Sequence, residues 1–165
     1  MKSFKIFILS LILGAGSAHA QFTKAELQVS GLTCSMCSKA TEKALRTLDF
    51  VGDIKTDLNR NVFVITFKST SPVNLGQISK KVQNAGFSVN NLKATFNFNS
   101  VKLNSNSFSY HGDTYMVVNG ANKPLTGPVA VTVVDKGFAP SSVYKKYAGQ
   151  TPDGFKAGKL YRIVI

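Results

Sequence analysis

Apolar and polar positions alternate at the start of the patterned region. Ala25, Leu27 and Val29 point one way and Glu26, Gln28 and Ser30 the other, which predicts a strand buried on one face. After the short Gly31-Leu32-Thr33 loop the period lengthens. Cys37, Ala40 (or Thr41), Ala44 and Leu48 recur at helical spacing, predicting a helix over about 35–48. Residues 51–58 fit a second strand, Asn59-Arg60-Asn61 a turn, and the β-branched and aromatic run 62–67 a third strand. Ser71-Pro72 breaks the chain. Asn74 can then cap a helix, with Gln77 three residues on, an apolar stripe of Leu75, Ile78, Val82 and Ala85, and Gly86 as its stop. Residues 87 to about 92 fit a last strand. The order β-α-β-β-α-β predicts a ferredoxin-like sandwich over 21–96, four antiparallel strands with both helices on a single face.

From about Asn97 the texture changes. A stretch rich in Asn and Ser precedes short β-like runs at 108–111, 115–118, 129–134 and 159–165, divided by Gly112-Asp113, Asn119-Gly120 and Gly127-Pro128. Residues 142–147 fit one helical turn or slightly more. The expected class is therefore α+β, with a second, mostly-β domain over 97–165, a small barrel or roll of OB-like type.

The first twenty residues read as an address. Lys2 and Lys5 precede the apolar run 6–13, and small residues lead to Ala18-His19-Ala20. This is the pattern of a secretory signal peptide over 1–20, cut after Ala20 to leave Gln21 first. The apolar run is far shorter than the ~20 residues a membrane span needs, and no later segment is apolar enough. The expected product is exported to the periplasm and has no membrane span after cleavage. Charge adds little: 20 Lys and Arg face 8 Asp and Glu, for a net +12, but no run of basic residues exceeds two. That dispersion, with export, argues against nucleic acid as a partner and reads as a basic, solvated surface. The 44% hydrophobic content excludes wholesale disorder, and two cysteines cannot build a multi-bridge scaffold.

Those two cysteines carry the chemistry. In Gly31-Leu32-Thr33-Cys34-Ser35-Met36-Cys37, Cys34 belongs to the loop after the first strand and Cys37 to the first turn of the helix. Both sulfurs then converge on an exposed tip. The free amides and dipole of the helix start lower thiolate pKa, and two nearby thiolates select soft ions such as copper(I). Two-coordinate binding leaves room for an incoming sulfur from another protein.

The segment 27–92 resembles the heavy-metal-associated domain of copper chaperones, metal-ATPase N-terminal domains and the periplasmic mercury-binding protein. The matching features are Gly31-x-Thr33-Cys34-x-x-Cys37, Glu42-x-Ala44-Leu45 and Ala85-Gly86-Phe87. The resemblance implies metal binding by Cys34 and Cys37, transfer by docking to a metal-donor or acceptor protein (a metal-transporting membrane protein among them), and no enzymatic turnover. Copper(I) is the preferred ion, with mercury(II), zinc and cadmium as alternatives. Two positions depart from common members, and Met36 has two readings of its own. Leu32 stands where many have a Met that packs beneath the loop, Phe87 replaces the Tyr of many bacterial chaperones, and Met36 between the cysteines faces solvent or lends a thioether.

Other readings use the same sulfurs. A disulfide across three residues closes too short a loop to stabilise much, yet it is a plausible resting state in an oxidising compartment. A thiol–disulfide oxidoreductase also places CxxC at a helix start, but no Trp precedes the pair and Pro72 sits before the second helix. A mercury scavenger is a further alternative. A closed zinc site wants four ligands, and after cleavage only His111 would remain as a histidine, in a turn of the other half. Met116 reads as core. Phe138, in Gly137-Phe138-Ala139-Pro140, could be an exposed partner contact, but hydrophobic loop residues most often plug their own domain. Tyr144, Lys145, Lys146 and Tyr147 read as packed tyrosines beside solvated lysines. Residues 97–165 hold no catalytic constellation, and this half reads as an accessory module.

Overall fold

A computed structural model describes residues 21–99, 101–119, 125–155 and 158–165. The expected signal peptide and Gly120 of the Asn119-Gly120 turn lie outside the described residues. In chain order the elements are β1 (Gln21–Ser30), α1 (Ser35–Arg46), β2 (Val51–Asp57), β3 (Val62–Phe67), α2 (Leu75–Asn84), β4 (Ser88–Asn97), β5 (Ser107–Tyr110), β6 (Asp113–Val117), β7 (Pro128–Val133), α3 (Ser141–Tyr147) and β8 (Leu160–Val164). The first six give the β-α-β-β-α-β order of the ferredoxin-like sandwich, and a strand-rich region follows.

Local chemistry accounts for the helix ends. Asn74, extended at φ −110, accepts a hydrogen bond from the Gln77 amide on its Oδ1, the capping expected from the spacing. Leu75, Ile78 and Val82 are buried beneath α2 as its stripe requires. Gly86 follows at φ +86, a conformation open to glycine, and ends the helix.

Strand β4 runs to Asn97 rather than stopping near Leu92. Its alternation persists, with Leu92, Ala94 and Phe96 buried and Lys93 and Thr95 outside the core, and both of its edges are paired. On one side lies β1, on the other β7, in the register Lys93↔Thr132 to Asn97↔Pro128. The whole sheet is eight-stranded in the order β2-β3-β1-β4-β7-β8-β6-β5, antiparallel except for β6 beside β8. The second half therefore does not form an OB-like barrel. Once β7 takes the free edge of β4, its strands extend the existing sheet instead of closing on themselves, leaving β2 and β5 as the edges.

Both halves contribute to one apolar core. Phe22 of β1 and Phe96 of β4 meet edge to face with ring centroids 4.7 Å apart. Tyr110 lies 5.3 Å from Phe22, and Phe108 lies 4.9 Å from Phe96. From Phe108 a stack continues through Tyr115 to Tyr161, at 5.2 Å and then 5.0 Å. Two hydrogen bonds tie α2 and its approach to the second half: the Val73 amide donates to the Tyr110 hydroxyl, and the Ser79 hydroxyl donates to the Gly137 carbonyl at 2.7 Å.

Residues singled out in the second half take ordinary structural roles. Phe138 is buried, 5.7 Å from the Tyr161 ring, so it is a plug and not an exposed contact. Met116 is also buried. His111 occupies the β5–β6 turn at φ +47, against the edge of Tyr110. On α3, Tyr144 and Tyr147 are half-buried and Lys145 and Lys146 exposed. Behind that helix, the Arg162 guanidinium bonds the Asp135 carboxylate at 2.8 Å and the Gln150 carbonyl at 2.6 Å, pinning the segment that follows it.

Candidate metal centre

The β1–α1 loop is shaped from both ends. Gly31 adopts φ +90, and a side chain there would press on the Phe87 ring, whose Cδ1 lies 3.4 Å from the missing Cβ. Leu32 turns inward and is almost fully buried, anchoring the loop as an apolar residue at that position should. Cys34 then leaves the loop extended, at φ −147, as the N-cap of α1. A cap is normally an oxygen; here the Cys34 Sγ accepts from the Cys37 amide at 3.2 Å.

Cys34 is exposed and Cys37 half-buried, and both are free thiols. The Cys37 carbonyl accepts from the Thr41 hydroxyl at 3.0 Å, while the Cys37 side chain rests on the core. One sulfur is thus freely presented and the other is held by the helix. Met36 between them is 72% exposed and stands clear of the core. Beside Cys34 lies a shallow depression of about 150 Å³ lined by Leu32, Thr33, Ser38, Leu58 and Asn61. Leu58 and Asn61 come from the β2–β3 connection. The sequence offered no signal for their presence, because only the β1–β3 register brings that turn alongside the loop.

The two thiols titrate differently. Cys34 is pulled below the usual thiol range, chiefly by the hydrogen bond from the Cys37 thiol and then by the Cys37 amide. Cys37 is pushed up, first because its proton is held by Cys34 and then by burial. The favoured arrangement is one thiolate on Cys34 accepting from one thiol on Cys37. Since thiolate is the nucleophile, a lower pKa means a larger reactive fraction at neutral pH. Limiting iodoacetamide at pH 7 is therefore expected to modify Cys34 before Cys37, read by peptide mass spectrometry. Equal labelling, or Cys37 first, contradicts the assignment.

Among the described residues, no group of three or more His, Cys, Asp or Glu gathers as a metal cage. His111 thus belongs to no such cage. What the chain presents is a two-sulfur site open on its solvent side. Residues 26–88 match the family model described as the heavy-metal-associated domain. The match ends at the first residue of β4, so β5–β8 and α3 are an addition to it.

Solved structures give the same region. The CopZ metallochaperone is 24% identical, covering 41% of this chain and 98% of its own, with a TM-score of 0.38. Oxidized MerP from Ralstonia metallidurans CH34 is 26% identical over 41% of this chain and 96% of its own, with a TM-score of 0.37. Apo-CopP from Helicobacter pylori is 27% identical over 40% and 97%, with a TM-score of 0.35. No curated protein matches the chain.

Proposed function

We propose that the reduced protein binds one soft ion, copper(I) by preference, between Cys34 and Cys37, and passes it by thiolate exchange to a partner bearing a similar pair. The observation that carries this reading is the exposed Cys34 sulfur, its pKa lowered by the Cys37 thiol and amide one helical turn on, in a segment that matches the heavy-metal-associated domain. Thiolates are soft donors, and two of them without further ligands suit a two-coordinate ion better than a four-coordinate zinc.

Loading requires Cys37 to release its proton, so uptake releases protons and strengthens as pH rises toward the raised Cys37 pKa, levelling off once both thiols are ionised. In transfer, a thiolate of the partner adds to the ion, giving three sulfurs, after which Cys34 or Cys37 departs and is reprotonated. No electron moves and no substrate bond is broken, so the protein acts as a carrier and not an enzyme. The same site would take mercury(II), with cadmium and zinc as weaker fits. Met36 and Leu58, both exposed beside the sulfurs, supply apolar surface where such a partner would dock.

The signal-like pattern of residues 1–20 supports export to the periplasm, and no helix among the described residues is long and apolar enough to cross a membrane. The test is to recover the protein from the exported fraction and establish its N-terminus, metal content and thiol state. A start at Gln21 and one copper(I) per reduced protein under a competing chelator are the expected results. One mercury(II) in place of copper would select the scavenger. Catalytic reduction of a disulfide substrate without metal uptake would overturn the carrier reading.

A further inference from the structure

The N-terminal end of α2 meets β8 at a place crowded with hydrogen-bond donors. The Asn74 Oδ1 already accepts from Gln77, but the amides of Leu75 and Gly76 find no aligned acceptor among the described residues. Gly76 lies so close to β8 that a methyl on it would strike the Lys159 ammonium and stand 2.8 Å from the Tyr161 hydroxyl. The Tyr161 side chain is 1% exposed, yet its hydroxyl has no hydrogen-bond partner, and the same is true of Tyr115 stacked beside it.

Burial raises the Tyr161 pKa, while the nearby Lys159 ammonium and Gly76 amide act in the opposite sense, so both stand close to its oxygen. Neither contact closes into an aligned hydrogen bond. Lys159 is exposed above the ring, with Nζ 4.9 Å from its centroid, and pairs with no carboxylate among the described residues. Asp113 is the carboxylate whose field both phenols feel, and it disfavours their ionisation. A neutral phenol remains a donor.

An amide at a helix start, a buried phenol O–H and a flexible ammonium thus converge with no acceptor but the phenol oxygen itself, toward which the amide and the ammonium are loosely directed. Each is suited to oxygen lone pairs, and the ammonium and the helix end together favour negative charge. We infer that this junction is a binding site for a small oxyanion, phosphate or carboxylate, held by the Gly76 amide, the Tyr161 hydroxyl and the Lys159 ammonium. Lys159 swings outward to admit the anion and closes over it. The site joins α2 of the heavy-metal-associated domain to the last strand of the added region, and its chemistry is independent of the two cysteines.

The test uses the full chain from Gln21, labelled with nitrogen-15 and titrated with inorganic phosphate, and separately with acetate, against chloride at matched ionic strength. Saturable shifts of the Leu75 and Gly76 amide signals are expected with at least one oxyanion, and the more effective one identifies the class. Tyr161→Phe keeps the ring and is expected to weaken binding about 5-fold, and Lys159→Gln about 10-fold or more, as losses of a neutral and a charged donor. Copper(I) uptake by Cys34 and Cys37 should be unchanged in both variants, which separates this site from the metal centre. The inference is overturned if neither oxyanion shifts those signals more than chloride does, as for a site filled only by water. It is equally overturned if neither substitution weakens the effect.

Discussion

Cys34→Ser and Cys37→Ser are each expected to lower copper(I) affinity by more than ~100-fold, since even the hydrogen-bond partners of metal ligands are worth about 10–100-fold. The physical reason is that a serine hydroxyl does not ionise near neutral pH and is a hard donor, so each variant retains only one soft ligand. The two substitutions should differ in their side effects. Cys34 is exposed and also caps α1 through its sulfur, a role that serine performs well, so Cys34→Ser should leave thermal stability nearly unchanged. In Cys37→Ser the serine hydroxyl and the backbone amide can still donate to Cys34, so its lowered pKa should largely persist, whereas Cys37→Ala removes the side-chain donor and should raise the Cys34 pKa toward the ordinary value and slow its alkylation at pH 7. Competition titration with a chromogenic chelator reads the affinities. If both variants held copper(I) as tightly as the parent, the ion would have to sit elsewhere.

Phe96→Ala is expected to destabilise the protein by about 3–5 kcal/mol, the usual cost of emptying a fully buried aromatic position. For a chain of this length that corresponds to a fall in Tm of roughly 6–20 °C. Phe96 touches Phe22 from the first half and Phe98, Phe108 and Tyr110 from the connection and the second half, so its loss loosens the contact between them. A chain ended after Asn97 would lose Phe98, Phe108, Tyr110 and Tyr115 at once, expose Phe22 and Phe96 to water, and leave β4 with an unpaired edge. Such a fragment should bind a hydrophobic dye and associate, whereas the full chain should unfold in one transition. A fragment of 21–97 that melted at the temperature of the full chain would show that the added strands contribute nothing to the core.

The first half was legible because its periods are clean and its punctuation is chemical. Asn74 with Gln77, Gly86 after Ala85, and the 62–67 run each carry a local physical reason for their place, and all three elements form where that reason puts them. The site was legible for the same cause. A CxxC at a strand-to-helix junction places one sulfur on the cap and the other one turn later without help from distant residues. The second half was legible only as a set of short strands. Their lengths and turns were evident, but nothing local distinguishes strands that close a barrel from strands that join an existing sheet.

The amino-acid sequence by itself determined the ferredoxin-like order, the cysteine pair and its exposure, because these depend on contacts between near neighbours and on hydrophobic period. Tertiary structure alone decided that β7 would pair with β4, that Leu58 would stand beside Cys34, and that Tyr161 would meet the start of α2. Those outcomes depend on which sheet edge is free and which faces remain unburied once the first half has formed, a competition between distant segments that no local pattern records.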